Sequence, residues 1–307
     1  LIFELLDEGT LTGLRIDHPD GLYDPRGYLV HLQEHHFLRL CRAATQRLGV
    51  SQVATANDSS PPADGLPPAV EQRLRELWRA AIQIVGSPLA RPLYVVVEKI
   101  LSHNEQLPGD WPVHGTVGYE ALNQLNGLFV APEAAGPFSK IYARFSGESL
   151  DFESLTYEDK RKIVRLSMAS ELNVLGHRLD RISERNRWTR DFTLNSLTHA
   201  LREVIAGFRV YRSYVQPGHM TQSDREHIDS AVNDAKRRNP IVDDSLFEFV
   251  RDVLLLQFPT HADEAERRQI EQFVGKFQQL TGPIMAKAVE DTTFYRFNRL
   301  VSLNEVG

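Results

Sequence analysis

The run LYVVVEKIL, residues 93–101, limits the fold of this chain more than any other stretch. It is apolar and β-branched up to Glu98, the pattern of a strand covered on both faces in a parallel sheet packed between helices. A second short run, GLRI at 13–16, also closes on an acid, Asp17. Between the two runs lie stretches with helical spacing, 28–48 and 69–86. Strand, helix, strand is the order of a βαβ unit, and it predicts an α/β fold. At a period of two, Arg15 and Asp17 share one face of the first strand.

The remainder reads as mostly helical. LIFELLDEG fits the last turns of a helix with Gly9 as its cap. SQVATANDSSPPADGLPP, residues 51–68, is poor in large apolar residues and reads as a surface insertion. WPVHGTVGYEALNQLNGLFV is a Gly-rich turn followed by a helix. Helical patterns then cover 157–186, 189–208, 223–238, 245–256 and 262–280, with FRVYRSYV, residues 208–215, as a short strand among them.

Composition narrows the function. The 307 residues carry a net charge of −6, without the basic face of a nucleic-acid binder. No apolar run approaches the ~20 residues of a membrane span, and the start has no signal-peptide pattern. The single cysteine, Cys41, allows no internal disulfide and reads as a small buried hydrophobe. An intracellular, cytoplasmic setting is expected. Both ends lie inside apparent structure, which predicts a piece of a longer protein.

Asp17 and Glu98 stand at the ends of two candidate parallel strands. In a β/α-barrel such positions project into the site at the C-terminal face. Paired carboxylates are the machinery of glycoside chemistry, one attacking the anomeric carbon and the other protonating the leaving oxygen. A neighbouring guanidinium, Arg15, favours an ionised carboxylate. Spacing alone leaves a plainer alternative: Asp17 caps the next helix and Arg15 pairs with it. His18 could bond a sugar hydroxyl or cap the loop, and Asp20 in HPDGL could form an Asx-turn. Trp111, Tyr119 and Tyr295 could stack on sugar rings or pack. Lys287 and Arg212 could reach hydroxyls or sit in ion pairs. Glu34, His35 and His36 are adjacent on a helix, face different directions, and predict no metal site. There is no phosphate loop or dinucleotide fingerprint, and no cofactor is expected.

GLRIDHPDGLYDP, VVVEKIL, WPVHGTVGYEALNQLNGLFV and MAKAVEDTTFYRFNRLVSLNEVG, in that order, resemble the maltooligosyltrehalose synthase family of α-amylase-like glycoside hydrolases. The resemblance is spread over nearly the whole chain and is weakest at 43–88. The GxRxD pattern belongs to all amylase relatives. RIDHPDGL, VEKIL and VEDTTFYR are more specific to the synthases.

The resemblance implies Asp17 as nucleophile, Glu98 as general acid/base and Asp291 as the third, transition-state-stabilising carboxylate. In amylases the third acid follows a histidine; here Glu290 precedes it. Arg15, His18, Asp20, Trp111, Tyr119, Arg212, Lys287, Glu290 and Tyr295 become candidate substrate contacts. The implied reaction converts the reducing-end α-1,4 linkage of a maltooligosaccharide into an α,α-1,1 trehalosyl linkage by a retaining double displacement. The competing readings are an amylase-type α-1,4-glucan hydrolase and a non-catalytic glucan-binding fragment.

The expected fold is a partial (β/α)8 TIM-type barrel with a large, mainly α-helical insertion. Residues 1–132 would form a barrel segment with the strands of Asp17 and Glu98. Residues 133–205 and 217–280 would be helical insertions, 206–216 a barrel strand, and 281–307 a barrel segment carrying Asp291. The expected partner is a linear α-1,4-glucan, with no nucleic acid and no membrane.

Overall fold

The computed structural model describes residues 1–48, 66–84, 86–102, 104–260 and 262–307. The surface insertion expected at 51–68 therefore lies, up to residue 65, outside the described residues. Chain contacts separate two units, residues 1–99 with 106–117, and residues 100–105 with 118–307.

The first unit holds the sheet. A short helix, α1 (Ile2–Asp7), precedes Gly9, whose φ of 74° fits the left-handed position after a helix end. Strands β1 (Gly13–Ile16), β2 (Tyr94–Val97) and β3 (Gly115–Thr116) lie in that order, all parallel. The register sets Ile16 beside Val97 and Val97 beside Thr116. The crossover from β1 to β2 contains α2 (Pro25–Arg47) and α3 (Pro68–Ala81). α2 starts where Asp24 accepts from the Gly27 backbone N–H at 2.8 Å and Pro25 occupies the first turn. Burial differs from the expectation for β2. Val95 and Val97 are buried, Val96 is partly buried and Tyr94 is exposed, so only one face is fully covered.

Gln33 on α2 holds the sheet in place. Its amide oxygen accepts from the Leu93 N–H at 2.9 Å, and its amide nitrogen donates to the carbonyls of Leu93 and Pro112, each at 2.9 Å. One buried side chain thereby satisfies backbone groups before β2 and before β3, as a buried polar segment requires. Trp78 of α3 is fully buried and donates its indole N–H to the Leu89 carbonyl.

The second unit is helical. Its helices are α4 (Tyr119–Gly127), α5 (Ala135–Ser146), α6 (Phe152–Leu166), α7 (Ala169–Ser183), α8 (Leu194–Gly207), α9 (Gln222–Arg238), α10 (Asp244–Leu254) and α11 (Glu264–Met285). The 157–186 pattern is thus two helices. Oxygens of Asp151, Thr193, Thr221, Asp243 and Asp263 cap five of these helix starts. The core is built from Leu179, Leu197, Leu201, Val204, Phe247, Val250, Phe273 and Phe277. Each such side chain contributes about 1.5–3 kcal/mol by leaving water. α7 and α8 approach closely at Gly176, where a Cβ would meet the Thr198 hydroxyl at 2.4 Å. Glu203, buried, joins three helices: it accepts from Tyr157 at 2.5 Å, Arg161 at 3.0 Å, Arg202 at 3.1 Å and Asn239 at 3.4 Å. Burial pushes its carboxyl upward, but these donors and the Arg161 charge outweigh that and hold it below the usual range.

One sequence expectation needs correction here. Residues 208–215 form no strand: the segment is mostly buried, bends at Val210 and Tyr211, and has no neighbouring strand among the described residues, only an isolated bridge just after it between Gln216 and His219. Gln278 of α11 supplies what a strand would have supplied, accepting from the Val215 N–H at 2.7 Å and donating to the Val215 carbonyl at 3.2 Å. α11 runs to Met285 and continues as a π-helical turn, Ala286–Thr293. The hydroxyls of Thr292 and Thr293 bond the carbonyls of Lys287 and Ala288, five residues back, which matches the wider turn. No helix among the described residues is long and apolar enough to cross a membrane.

Candidate active site

In the first unit the ends of β1 and β2 meet at one guanidinium. Arg15 reaches Asp17 Oδ1 at 3.0 Å through one terminal nitrogen and Glu98 Oε1 at 3.2 Å through the other. The fork geometry of arginine suits this bridging of two carboxylates. Backbone pairing supplies the proximity: Ile16 lies beside Val97, and the Glu98 N–H donates to the Ile16 carbonyl at 2.8 Å. The residues after the two strands therefore emerge side by side. Glu98 is mostly sheltered, with 20% of its side chain exposed, while Asp17 is open at 72%.

His18 turns the chain away at once. Its φ of 43° is left-handed, uncommon for a residue with a Cβ. That turn aims the His18 backbone N–H at Glu98 Oε2, 3.1 Å away. The ring lies over Gly21, where any Cβ would come within 2.6 Å of it. Glu98 is thus held by a side chain on one oxygen and a backbone N–H on the other. Asp20 follows in a short turn, Pro19–Gly21, and pairs with Lys99 at 3.4 Å. Both are almost fully buried, so this ion pair ties the loop after β1 to the residue after Glu98. Sequence reasoning missed Lys99, although its place beside Glu98 and opposite HPDGL was a usable signal.

In the second unit Glu290 and Asp291 lie on the π-helical turn. Tyr211 donates its hydroxyl to Glu290 Oε1 at 2.6 Å. Lys287 pairs with Asp291 at 2.7 Å, both about half exposed, and this bond raises the lysine above its ordinary range. Arg296 bonds Asp159 of α6, a buried acid that also meets the Thr293 hydroxyl at 3.0 Å. Asp159 and Tyr211 were absent from the sequence-based site, because neither carries a motif.

The other candidates are scattered. Tyr295 is exposed and available for stacking. Tyr119 opens α4, packed against the backbone of Gly307. Trp111 is buried in the first unit, and Arg212 is buried in the second under the Tyr214 ring, 5.5 Å from its centroid. Asp20, Trp111 and Arg212 are almost fully buried. Glu34 pairs with Arg75 and Arg79; burial pushes His35 and His36 downward. Among the described residues no group of three or more His, Cys, Asp or Glu side chains could hold a metal ion. Cys41 is only partly buried, and burial raises its thiol above the ordinary range.

No established family profile matches the chain. Over 300 residues, 98% of its length, it is 27% identical to a candidate maltooligosyl trehalose synthase of Mycobacterium tuberculosis, and covers 29% of that relative. Its fold matches the maltooligosyltrehalose synthase of Arthrobacter ramosus with a TM-score of 0.66 and 29% identity, over 100% of this chain and 29% of that one. The DSM5389 glycosyltrehalose synthase shares the fold at a TM-score of 0.54 and 23% identity, over 98% of this chain and 27% of that one. In sequence and fold the chain is thus similar to maltooligosyltrehalose synthases, and it spans 29% of the length of those it matches.

Proposed function

We propose that this chain carries catalytic carboxylates of a trehalose-forming glucan mutase, acting on the reducing end of linear α-1,4-glucans. The observation that supports this most is the Arg15 guanidinium bridging Asp17 and Glu98 at the ends of adjacent parallel strands. The partial-barrel reading of the sheet belongs to the same proposal: β1, β2 and β3 are consecutive in space and parallel, as barrel strands are.

In this reading Asp17 attacks the anomeric carbon of the penultimate glucose. The C1–O4 bond breaks, and Glu98 gives its proton to the departing O4 of the terminal glucose. The released glucose then turns in its subsite. Its O1 hydroxyl passes a proton to Glu98 and attacks C1, and Asp17 departs. Two inversions leave an α,α-1,1 linkage. The third, charge-stabilising role falls to Asp291 only by the family resemblance. Arg15 and the His18 N–H hold the two carboxylates in position, and a retaining route requires them about 5–5.5 Å apart. Water must be excluded while the covalent intermediate exists, or the outcome is hydrolysis.

The test uses a chimaera in which these 307 residues replace the matching segment of the Arthrobacter ramosus enzyme, incubated with maltopentaose. A mutase removes reducing ends, whereas a hydrolase creates them. Asp17→Asn should abolish the loss of reducing ends, and Glu98→Gln should slow it by about 10²–10⁴-fold. A rise in reducing ends assigns hydrolysis instead. Near-normal turnover by Asp17→Asn refutes the nucleophile assignment.

A further inference from the structure

The second unit contains a cleft of about 550 Å³ that the carboxylate chemistry does not use. Its walls come from the end of α7, the loop after it, and the start of α11. The floor is apolar, formed by Ile182, Pro259, Ala262 and Ile270. Trp188 also lines it, with 76% of its surface exposed. That exposure is unusual, because tryptophan is highly buried on average. The Arg187 guanidinium lies over one face of the ring, 4.5 Å from its centroid. Asn186 Oδ1 accepts from the Trp188 N–H at 3.0 Å and fixes the backbone beneath it. Around the rim stand the amides of Asn186 and Gln269 and a charge pair, Arg185 to Glu266 at 3.5 Å.

A pyranose has an apolar C–H face and a belt of hydroxyls that both donate and accept. It suits a ring face, an aliphatic floor and amide groups that do the same. The Arg185 charge is engaged with Glu266, and the Arg187 guanidinium lies against the indole. Clefts of this size hold small ligands. We infer that the Trp188 cleft is a second glucan-binding site, taking a short α-1,4-linked maltooligosaccharide stacked on the indole. The choice of α-glucan rests on the proposed function. The site shares no residue with Asp17, Glu98 or Asp291 and would tether substrate without reacting with it.

The chain has three tryptophans, and two of them, Trp78 and Trp111, are buried. Emission that responds to added sugar therefore reports Trp188. Titrating the 307-residue chain with maltohexaose should give a saturable shift in tryptophan emission. Trp188→Ala should abolish the shift, Gln269→Ala should weaken the apparent affinity several-fold, and β-linked cellohexaose should give no saturation in the same range. A flat wild-type titration, an unchanged response in Trp188→Ala, or an equal response to cellohexaose overturns the proposal, the first leaving the exposed indole to a partner protein. Asp17→Asn should keep the emission response. Loss of the cleft signal with mutase turnover intact in the chimaera defeats only this inference. Turnover independent of Asp17 with the cleft signal intact defeats only the catalytic reading.

Discussion

Arg15 carries the candidate site on a half-exposed side chain, so its value to stability and its value to function should separate. Ion pairs that open to water are worth about 0–1 kcal/mol. Arg15→Ala is expected to change the unfolding free energy by no more than about 1 kcal/mol, read by urea titration. In the chimaera it should cut turnover by about 10²-fold or more, because the two carboxylates lose their shared positioning group. An equal loss of stability and activity would make Arg15 structural only. Lys160 is the opposite kind of residue. It is buried on α6, donates to the Phe208 carbonyl, and is pushed down to about 7 by desolvation and then by Arg209. Between that value and the unfolded lysine's ordinary value the unfolded chain binds one more proton. Stability should therefore rise with pH over that window and be flat, at its lowest, below it. Compared with Lys160→Met, the wild type should gain stability from about pH 7 to pH 10, measured by urea titration at each pH. A constant difference across that range would contradict a neutral buried amine.

At the scale of elements, two glutamines do work that sequence periodicity does not reveal. Gln33 and Gln278 each satisfy backbone N–H and C=O groups of a distant segment. Leaving those groups buried and unpaired should cost about 1–3 kcal/mol per site, so Gln33→Ala and Gln278→Ala should each lower the urea midpoint. Wild-type midpoints in both would refute the brace. The same contacts explain where sequence reading failed. FRVYRSYV has strand composition, yet a side chain, not a neighbouring strand, completes its hydrogen bonding. The π-helical turn was hidden for a related reason: its side-chain bonds, from Thr292 and Thr293 to carbonyls five residues back, are local, whereas periodicity reports only ordinary helix. By contrast GLRI, YVVV and the long amphipathic helices were legible, because burial imposes a period on them. The Arg15–Asp17 half of the site was legible from the strand period. The approach of Glu98 required the parallel register, and Asp159, Tyr211 and Lys99 required the fold.

For the whole molecule, the match to the synthases extends along the chain but covers only 29% of their length. Physical reading reached a βαβ unit with paired acids, and the ordered motifs were needed to reach a trehalose-forming chemistry. Each unit has its own buried centre, and Phe247 lies in that of the second. Phe247→Ala should cost about 3–5 kcal/mol by urea titration while leaving the Asp17 chemistry of surviving folded chimaera intact. The central claim concerns Asp17 itself. The most direct measurement is the mass of the peptide containing Asp17 after the chimaera is incubated with an activated maltosyl fluoride that forms the covalent intermediate faster than it releases it. A maltosyl mass on Asp17, absent from Asp17→Asn, is the predicted result. A label on another residue, or none while the fluoride is consumed, would contradict it.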